Sequence, residues 1–242
     1  MTDRPLAGRI AVVTGASRGI GYVLAREIAR AGAHVVAVAR TVGGLEELDD
    51  EIRGLGGTAT LVPFDLTDFD AIDRLGAALF ERHGKLDILI ANAGILGPIS
   101  PLGHVAPKDW DKVMAVNVTA NWRLIRSLDP LMRRSDAGRA VFLTSGAAHR
   151  IRAYWGPYAI SKAALEAMVV TWARESEITS IRANLLNPGP LRTAMRAQAM
   201  PGEDAETLDR PDVLVPTVMR LISPALDDSG RVWNHPTGDW IA

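Results

Sequence analysis

Short, almost unbroken apolar runs alternate along the chain with longer stretches in which apolar residues recur at helical spacing. The runs are Ile10 to Thr14, His34 to Ala39, Thr58 to Phe64, Leu86 to Ala91, Arg139 to Thr144, Ser180 to Leu186 and a shorter one from Arg231 to Asn234. Most lack the polar alternation of a half-exposed strand, which predicts parallel strands covered on both faces. The stretches of helical period are Ile20 to Ala31, Leu45 to Leu55, Asp68 to Arg82, Pro107 to Arg134, Tyr158 to Ser176 and Pro211 to Ile222. Repeated strand-helix units predict an α/β fold: a doubly wound parallel sheet of about seven strands with helices on both faces.

No linker, repeat or low-complexity tract interrupts the pattern, so residues 1–242 are expected to form a single Rossmann-type domain. The longest irregular stretch, Asn187 to Arg210, is expected to hold a substrate lid around 190–210, with Leu191 to Met200 able to form a short helix inside it. Lys and Arg total 27 against 28 Asp and Glu, which removes the basic field that nucleic acid or an anionic membrane would need. Cysteine is absent, which excludes thiolate nucleophiles and Cys-based zinc sites. The scattered histidines show no metal-ligand spacing, and no metal is expected. Met1-Thr2-Asp3-Arg4-Pro5 shows no secretory apolar run and no stretch is long enough to span a bilayer, so the expectation is a cytoplasmic protein.

Directly after the first strand comes Thr14-Gly15-Ala16-Ser17-Arg18-Gly19-Ile20-Gly21. Glycines at a strand-to-helix turn allow a tight bend and close approach of a pyrophosphate to the helix amides. The spacing differs from the common dinucleotide fingerprint, and a purely structural turn is the competing reading. The second strand ends Ala37-Val38-Ala39-Arg40, without the carboxylate that grips an NAD ribose. Arg40, and Arg18 inside the turn, instead suit the 2′-phosphate of NADP(H); otherwise both are solvated surface charges.

Tyr158 and Lys162 lie four residues apart at the start of a helical segment, hence on one face. A cation within a few ångströms lowers a phenol pKa, and the phenol can then exchange a proton with a substrate oxygen. Ser145 closes the fifth strand, where a hydroxyl can meet a reacting carbonyl, although a turn or cap role is equally open to it.

Taken with Asp65-Leu66, Asn92-Ala93-Gly94, Asn117 in Val116-Asn117-Val118, and Pro188-Gly189 with Thr193, these motifs resemble the short-chain dehydrogenase/reductase family, compact single-domain type, from about Ile10 to Leu221. The stretch Arg192 to Arg196 with Met200 resembles a poorly characterised bacterial branch and implies no substrate. The resemblance implies an NADP(H)-dependent oxidoreductase moving hydride between the nicotinamide and a carbonyl or secondary alcohol, with Asn117, Ser145, Tyr158 and Lys162 as the catalytic set. Asn117 would interrupt its helix beside a water path to Lys162, while Lys162 would also bind the nicotinamide ribose. Gly15, Ser17, Arg18, Gly19, Ile20 and Gly21 would cradle the phosphates. Asp65 would meet the adenine, unless it merely forms an Asx turn; Leu66, Asn92, Ala93 and Gly94 would line the adenosine side. Pro188, Gly189, Leu191 and Thr193 would hold the carboxamide and pyrophosphate. A homodimer or homotetramer is implied.

Ala91 replaces a second Asn common in the family, and Trp233 to Trp240 lacks its usual Asp-Gly-Gly ending, which leaves the family's C-terminal packing open. Substrate contacts are expected from Ile95 to Ala106, Gly146 to Pro157 and Pro190 to Arg210. His149, Arg150, Arg152, Tyr154 and Trp155 suit an acidic or thioester-bearing substrate with a planar part, or are solvated or meet another subunit. Two rival functions stay open. A non-catalytic NADP(H)-sensing protein would need the glycine turn but not the catalytic set; a sugar-nucleotide epimerase would need an added substrate domain for which no residues remain.

Overall fold

The computed structural model describes residues 4–241; Met1 to Asp3, read above as free of a signal segment, and Ala242 lie outside them. Eight strands form one sheet in the order β3-β2-β1-β4-β5-β6-β7-β8. They are β1 (Ile10–Thr14), β2 (His34–Ala39), β3 (Thr58–Pro63), β4 (Ile88–Ala91), β5 (Arg139–Leu143), β6 (Arg182–Asn187), β7 (Val232–Asn234) and β8 (Asp239–Ile241). All neighbours pair in parallel except β7 and β8, which pair antiparallel. The expected seven strands are present. The eighth is an addition made by the C-terminal segment folding back on β7, with Trp233 and Trp240 in edge contact at 5.2 Å.

The apolar runs are divided residue by residue between two cores, because successive strand side chains point to opposite faces. On one face Val13, Val35, Ile90 and Leu143 pack against α1 (Gly19–Arg30), α2 (Val42–Gly54) and α8 (Val215–Leu221). On the other, Val12, Val36, Leu89 and Phe142 pack against α3 (Phe69–His83), α5 (Ala120–Met132) and α6 (Gly156–Glu175).

β4 begins at Ile88, two residues later than the apolar run, although the Asp87 backbone still donates to Ile10 O and accepts from the Arg139 amide. The buried Asp87 carboxylate accepts from Arg9, Lys85, Ser135 and the Ile10 amide; burial opposes its charge, but the bonds from Ser135, Ile10 and Lys85 hold it below the usual carboxylate range. The single helix expected over Pro107 to Arg134 resolves into α4 (Pro107–Met114), a π-turn at Ala115–Thr119 and α5. Such wide turns occur mostly as local bulges near functional sites. The short helix expected between Leu191 and Met200 is α7 (Ala194–Ala199).

The sheet order reverses between β1 and β4, so the loops leaving their carboxyl ends part and open a crevice.

Candidate active site

The crevice is a cleft of about 1500 Å³, reached by the glycine turn, the ends of β2, β4, β5 and β6, α6 and the segment after β6. Every residue expected in the site lines it except Gly21 and Asn117, which stand behind its wall.

The glycine turn is held open by geometry only glycine accepts easily. Gly15 and Gly19 have φ of +68° and +59°, in the left-handed region. A Cβ on Gly21 would overlap the Gly15 carbonyl oxygen and Asn92 Nδ2, so Gly21 serves close packing of the helix start on the turn. Asn92 lines the cleft while its side-chain amide donates to Thr14 O (2.9 Å) and Gly15 O (3.3 Å), which locks β4 to the turn. Thr14, which heads the glycine motif, completes this brace by accepting from the Asn92 and Ala93 amides at 3.0 and 3.1 Å. Arg18 precedes α1 in extended conformation; the helix has no side-chain cap and no acid in its first turn, leaving its leading amides facing the cleft.

At the far end of the turn, Arg40 Nη1 lies 3.4 Å from Asp65 Oδ2, with both side chains about half exposed. A long, exposed pair of this kind is worth little, so the guanidinium stays available to a stronger anion. Asp65 also forms the Asx turn weighed as its competing role, accepting from the Thr67 amide and hydroxyl at 2.9 and 2.8 Å. Burial opposes its charge, but these bonds and Arg40 hold it below the ordinary carboxylate range.

Tyr158, Lys162 and Ser145 meet at the end of β5. Tyr158 and Lys162, both buried, sit on the same face of α6, the Lys162 nitrogen 5.8 Å from the centre of the Tyr158 ring. The expected lowering of the phenol pKa is not what this geometry produces. Burial pushes the phenol above its ordinary value, opposed by a hydrogen bond with Ser145. Lys162 Nζ donates to Leu143 O at 2.6 Å, and burial brings its pKa down to about 8 against the upward pull of Glu166. Desolvation therefore favours the neutral form of both groups. Ser145 also takes the cap role weighed for it, accepting from the Ala147 amide at 3.2 Å.

Asn117 sits in the π-turn, fully buried, and clamps the loop after β4: its side chain pairs with both the amide and the carbonyl of Ile95 at 2.9 Å. It also donates to Ser161 Oγ, and its own carbonyl accepts from Asn121 Nδ2 at 2.8 Å. A Cβ on Gly94 would lie 3.3 Å from the Asn117 side chain and 3.5 Å from Lys162 Nζ, so these groups adjoin.

Two further tethers escaped the sequence pattern. Asn187, ending β6, accepts from the amides of Gly146 and Gly189 at 3.0 and 3.2 Å, fixing the Ser145 turn against the chain leaving β6. Glu166, one turn beyond Lys162, accepts from Thr144 and pairs with His149. Thr193 caps α7 by accepting from the Arg196 amide, and the segment after β6 is stapled by Arg196–Glu203 and Arg192–Glu206 pairs. At the mouth, Lys112, Arg150 and Arg152 face the cleft without an acidic partner among the described residues. Tyr154, with φ of +73°, holds this loop by accepting from the Ser100 amide at 3.0 Å. Among the described residues no helix is long and apolar enough to cross a membrane.

Residues 9–204 match the family model for short chain dehydrogenases. The chain is 37% identical over 229 residues to the uncharacterized oxidoreductase YciK of Escherichia coli K12, covering 93% of this chain and 89% of that protein. A short chain dehydrogenase structure from Pseudomonas syringae superposes with a TM-score of 0.93 at 38% identity, covering 96% of each chain. Another from Shigella flexneri 2a, complexed with NADP, gives 0.92 at 35% identity, covering 96% of this chain and 99% of that one.

Proposed function

The chain belongs to the short chain dehydrogenase family, and on that premise we propose that it is an oxidoreductase in which bound NADP(H) supplies or accepts hydride at the carbon of a carbonyl or secondary alcohol while Tyr158 handles the proton. The observation that carries the reading is the convergence of Tyr158, Ser145 and Lys162 at one end of a cleft whose other end carries the glycine turn, Arg18 and Arg40. A sensor of the nucleotide would have no use for the first three.

The residues present fit the dinucleotide. The uncapped amides of α1 and the left-handed glycines suit a pyrophosphate, and Arg40 replaces the acid that would repel a 2′-phosphate. The Shigella relative's complex with NADP supports the same assignment. In reduction, the raised phenol pKa keeps Tyr158 in its acid form at neutral pH, ready to protonate the developing alkoxide. Ser145 stabilises the same oxygen by hydrogen bonding. Lys162 steadies the phenolate left behind and would hold the nicotinamide ribose when the dinucleotide is bound. Its proton is restored past the π-turn at Asn117, whose carbonyl retains a second lone pair beyond the bond to Asn121. A cysteine-free chain suits a reducing, cytoplasmic setting, and a homo-oligomer follows the family pattern.

The test is NADPH consumption against a carbonyl panel, run beside NADH. Turnover with a clear NADPH preference supports the proposal; NADPH binding with no turnover of any member leaves the sensor reading in its place. Arg40→Ala is expected to raise the NADPH Kd about 10- to 100-fold, the worth of a hydrogen bond to a charged group, with little change for NADH. Equal losses for both nucleotides would remove Arg40 from 2′-phosphate recognition. Within the panel, the unpaired Lys112, Arg150 and Arg152 favour carbonyls bearing an anionic substituent. Arg150→Gln/Arg152→Gln is expected to raise KM for these about tenfold or more, while neutral carbonyls are unchanged in KM; no difference between the two sets would make the arginines solvated charges only.

A further inference from the structure

Glu166 is absent from the cleft wall, yet its carboxylate is nearly enclosed and its bonds reach both sides of the Ser145 turn. On one side, Thr144 Oγ1 donates to Glu166 Oε1 at 2.5 Å. On the other, His149 Nε2 lies 3.0 Å from Oε2 and 3.2 Å from Oε1. Thr144 immediately precedes Ser145; His149 immediately follows the single-turn helix Gly146–Ala148 that Ser145 caps. One largely enclosed carboxylate thus brackets the segment carrying the hydroxyl beside Tyr158. Along α6, Glu166 also lies one turn from Lys162, on the side opposite Tyr158.

We propose that Glu166 is a positioning residue of this site: it fixes the Ser145 turn by holding Thr144 and His149, and it sets a negative charge one helical turn from the Lys162 ammonium. The proposal rests on the oxidoreductase reading above. The groups facing Lys162 are Tyr158 and Glu166 from its own helix, the Leu143 carbonyl from β5, and the Asn117 amide beyond Gly94. Of these only Glu166 carries a charge that opposes the effect of burial on the lysine. Glu166 itself faces the Thr144 hydroxyl just past β5 and the His149 ring from the following loop, with Lys162 one turn away on its own helix. The two roles are separable, because a neutral amide keeps an acceptor for Thr144 while losing the charge.

The sign follows from the lysine. Its ammonium is present below a pKa of about 8 and is lost as pH rises through that value, so removing an adjacent anion must move the loss to lower pH. Glu166→Gln is therefore expected to shift the basic midpoint of the kcat profile down by about half a pH unit or more. NADPH affinity measured at a pH below that midpoint is expected to change by no more than about twofold. Thr144→Val, which loses the tether and keeps the charge, is expected to lower kcat without moving the midpoint. If Glu166→Gln leaves the midpoint in place, the charge role is overturned; if Thr144→Val turns over at the wild-type rate, so is the tether.

A readout without turnover separates this proposal from the one beneath it. In protein labelled with 13C-lysine, with NADP added and the Lys162 signal assigned by its loss in Lys162→Met, the Lys162 titration is expected to move to lower pH in Glu166→Gln. That movement in a protein reducing no carbonyl would preserve the influence of Glu166 and sink the oxidoreductase reading; an unmoved titration in an active enzyme would do the reverse.

Discussion

Tyr158→Phe is expected to cut NADPH-dependent carbonyl reduction by about 10³-fold, within the usual range for loss of a general acid, with the NADPH Kd held within about twofold. The substitution removes one hydroxyl and leaves the ring, which is buried, touches Trp155 edge-on at 6.2 Å and supplies packing that phenylalanine retains. Lys162 keeps its bond to Leu143, and Ser145 keeps its bond to the Ala147 amide. The loss should therefore appear in kcat rather than in nucleotide binding or stability. Stopped turnover with nucleotide titration separates the two. Activity within about tenfold of wild type would assign the proton to another group.

Gly21→Ala should act through packing instead. The added methyl would overlap the Gly15 carbonyl oxygen, a backbone atom, and Asn92 Nδ2, whose amide braces the turn. Neither can step aside without moving the turn, and overpacking of this kind costs about 1–3 kcal/mol. Because the strain falls on the left-handed Gly15, the cheapest relief is an opened turn, so the NADPH Kd is expected to rise about 10- to 100-fold. A variant binding NADPH as tightly as wild type would mean that the close packing seen at Gly21 has no bearing on the cofactor.

The sheet was legible because buried parallel strands leave an unmistakable trace, runs such as Val35 to Ala39 with no polar alternate. β8 left none. Asp239, Trp240 and Ile241 are too few to display a period, and their pairing depends on the turn at His235 to Gly238 bringing them back on β7. α2 starts at Val42, ahead of the helical period that begins at Leu45, because Gly43 and Gly44 carry no apolar signal; Gly44 is needed because a Cβ there would come within 2.7 Å of the Ser17 carbonyl.

In the site, residues recognisable by type and spacing, such as Tyr158 with Lys162 or Arg40 after β2, were available from the chain alone. The electrostatic direction at Tyr158 was not, because spacing reveals the neighbouring cation but not the burial that raises the phenol against its bond with Ser145. Asn187 and Glu166 were equally hidden, since each acts through a partner distant in sequence. Asn92 was recognisable as a site residue, but its amide is committed to Thr14 and Gly15.

The most direct measurement uses NADPH deuterated at the transferable C4 position and a carbonyl from the panel. Deuterium appearing at the carbinol carbon of the product, with transfer nearly abolished in Tyr158→Phe, is the predicted result. Tight binding of the labelled nucleotide without label in any product would contradict the account.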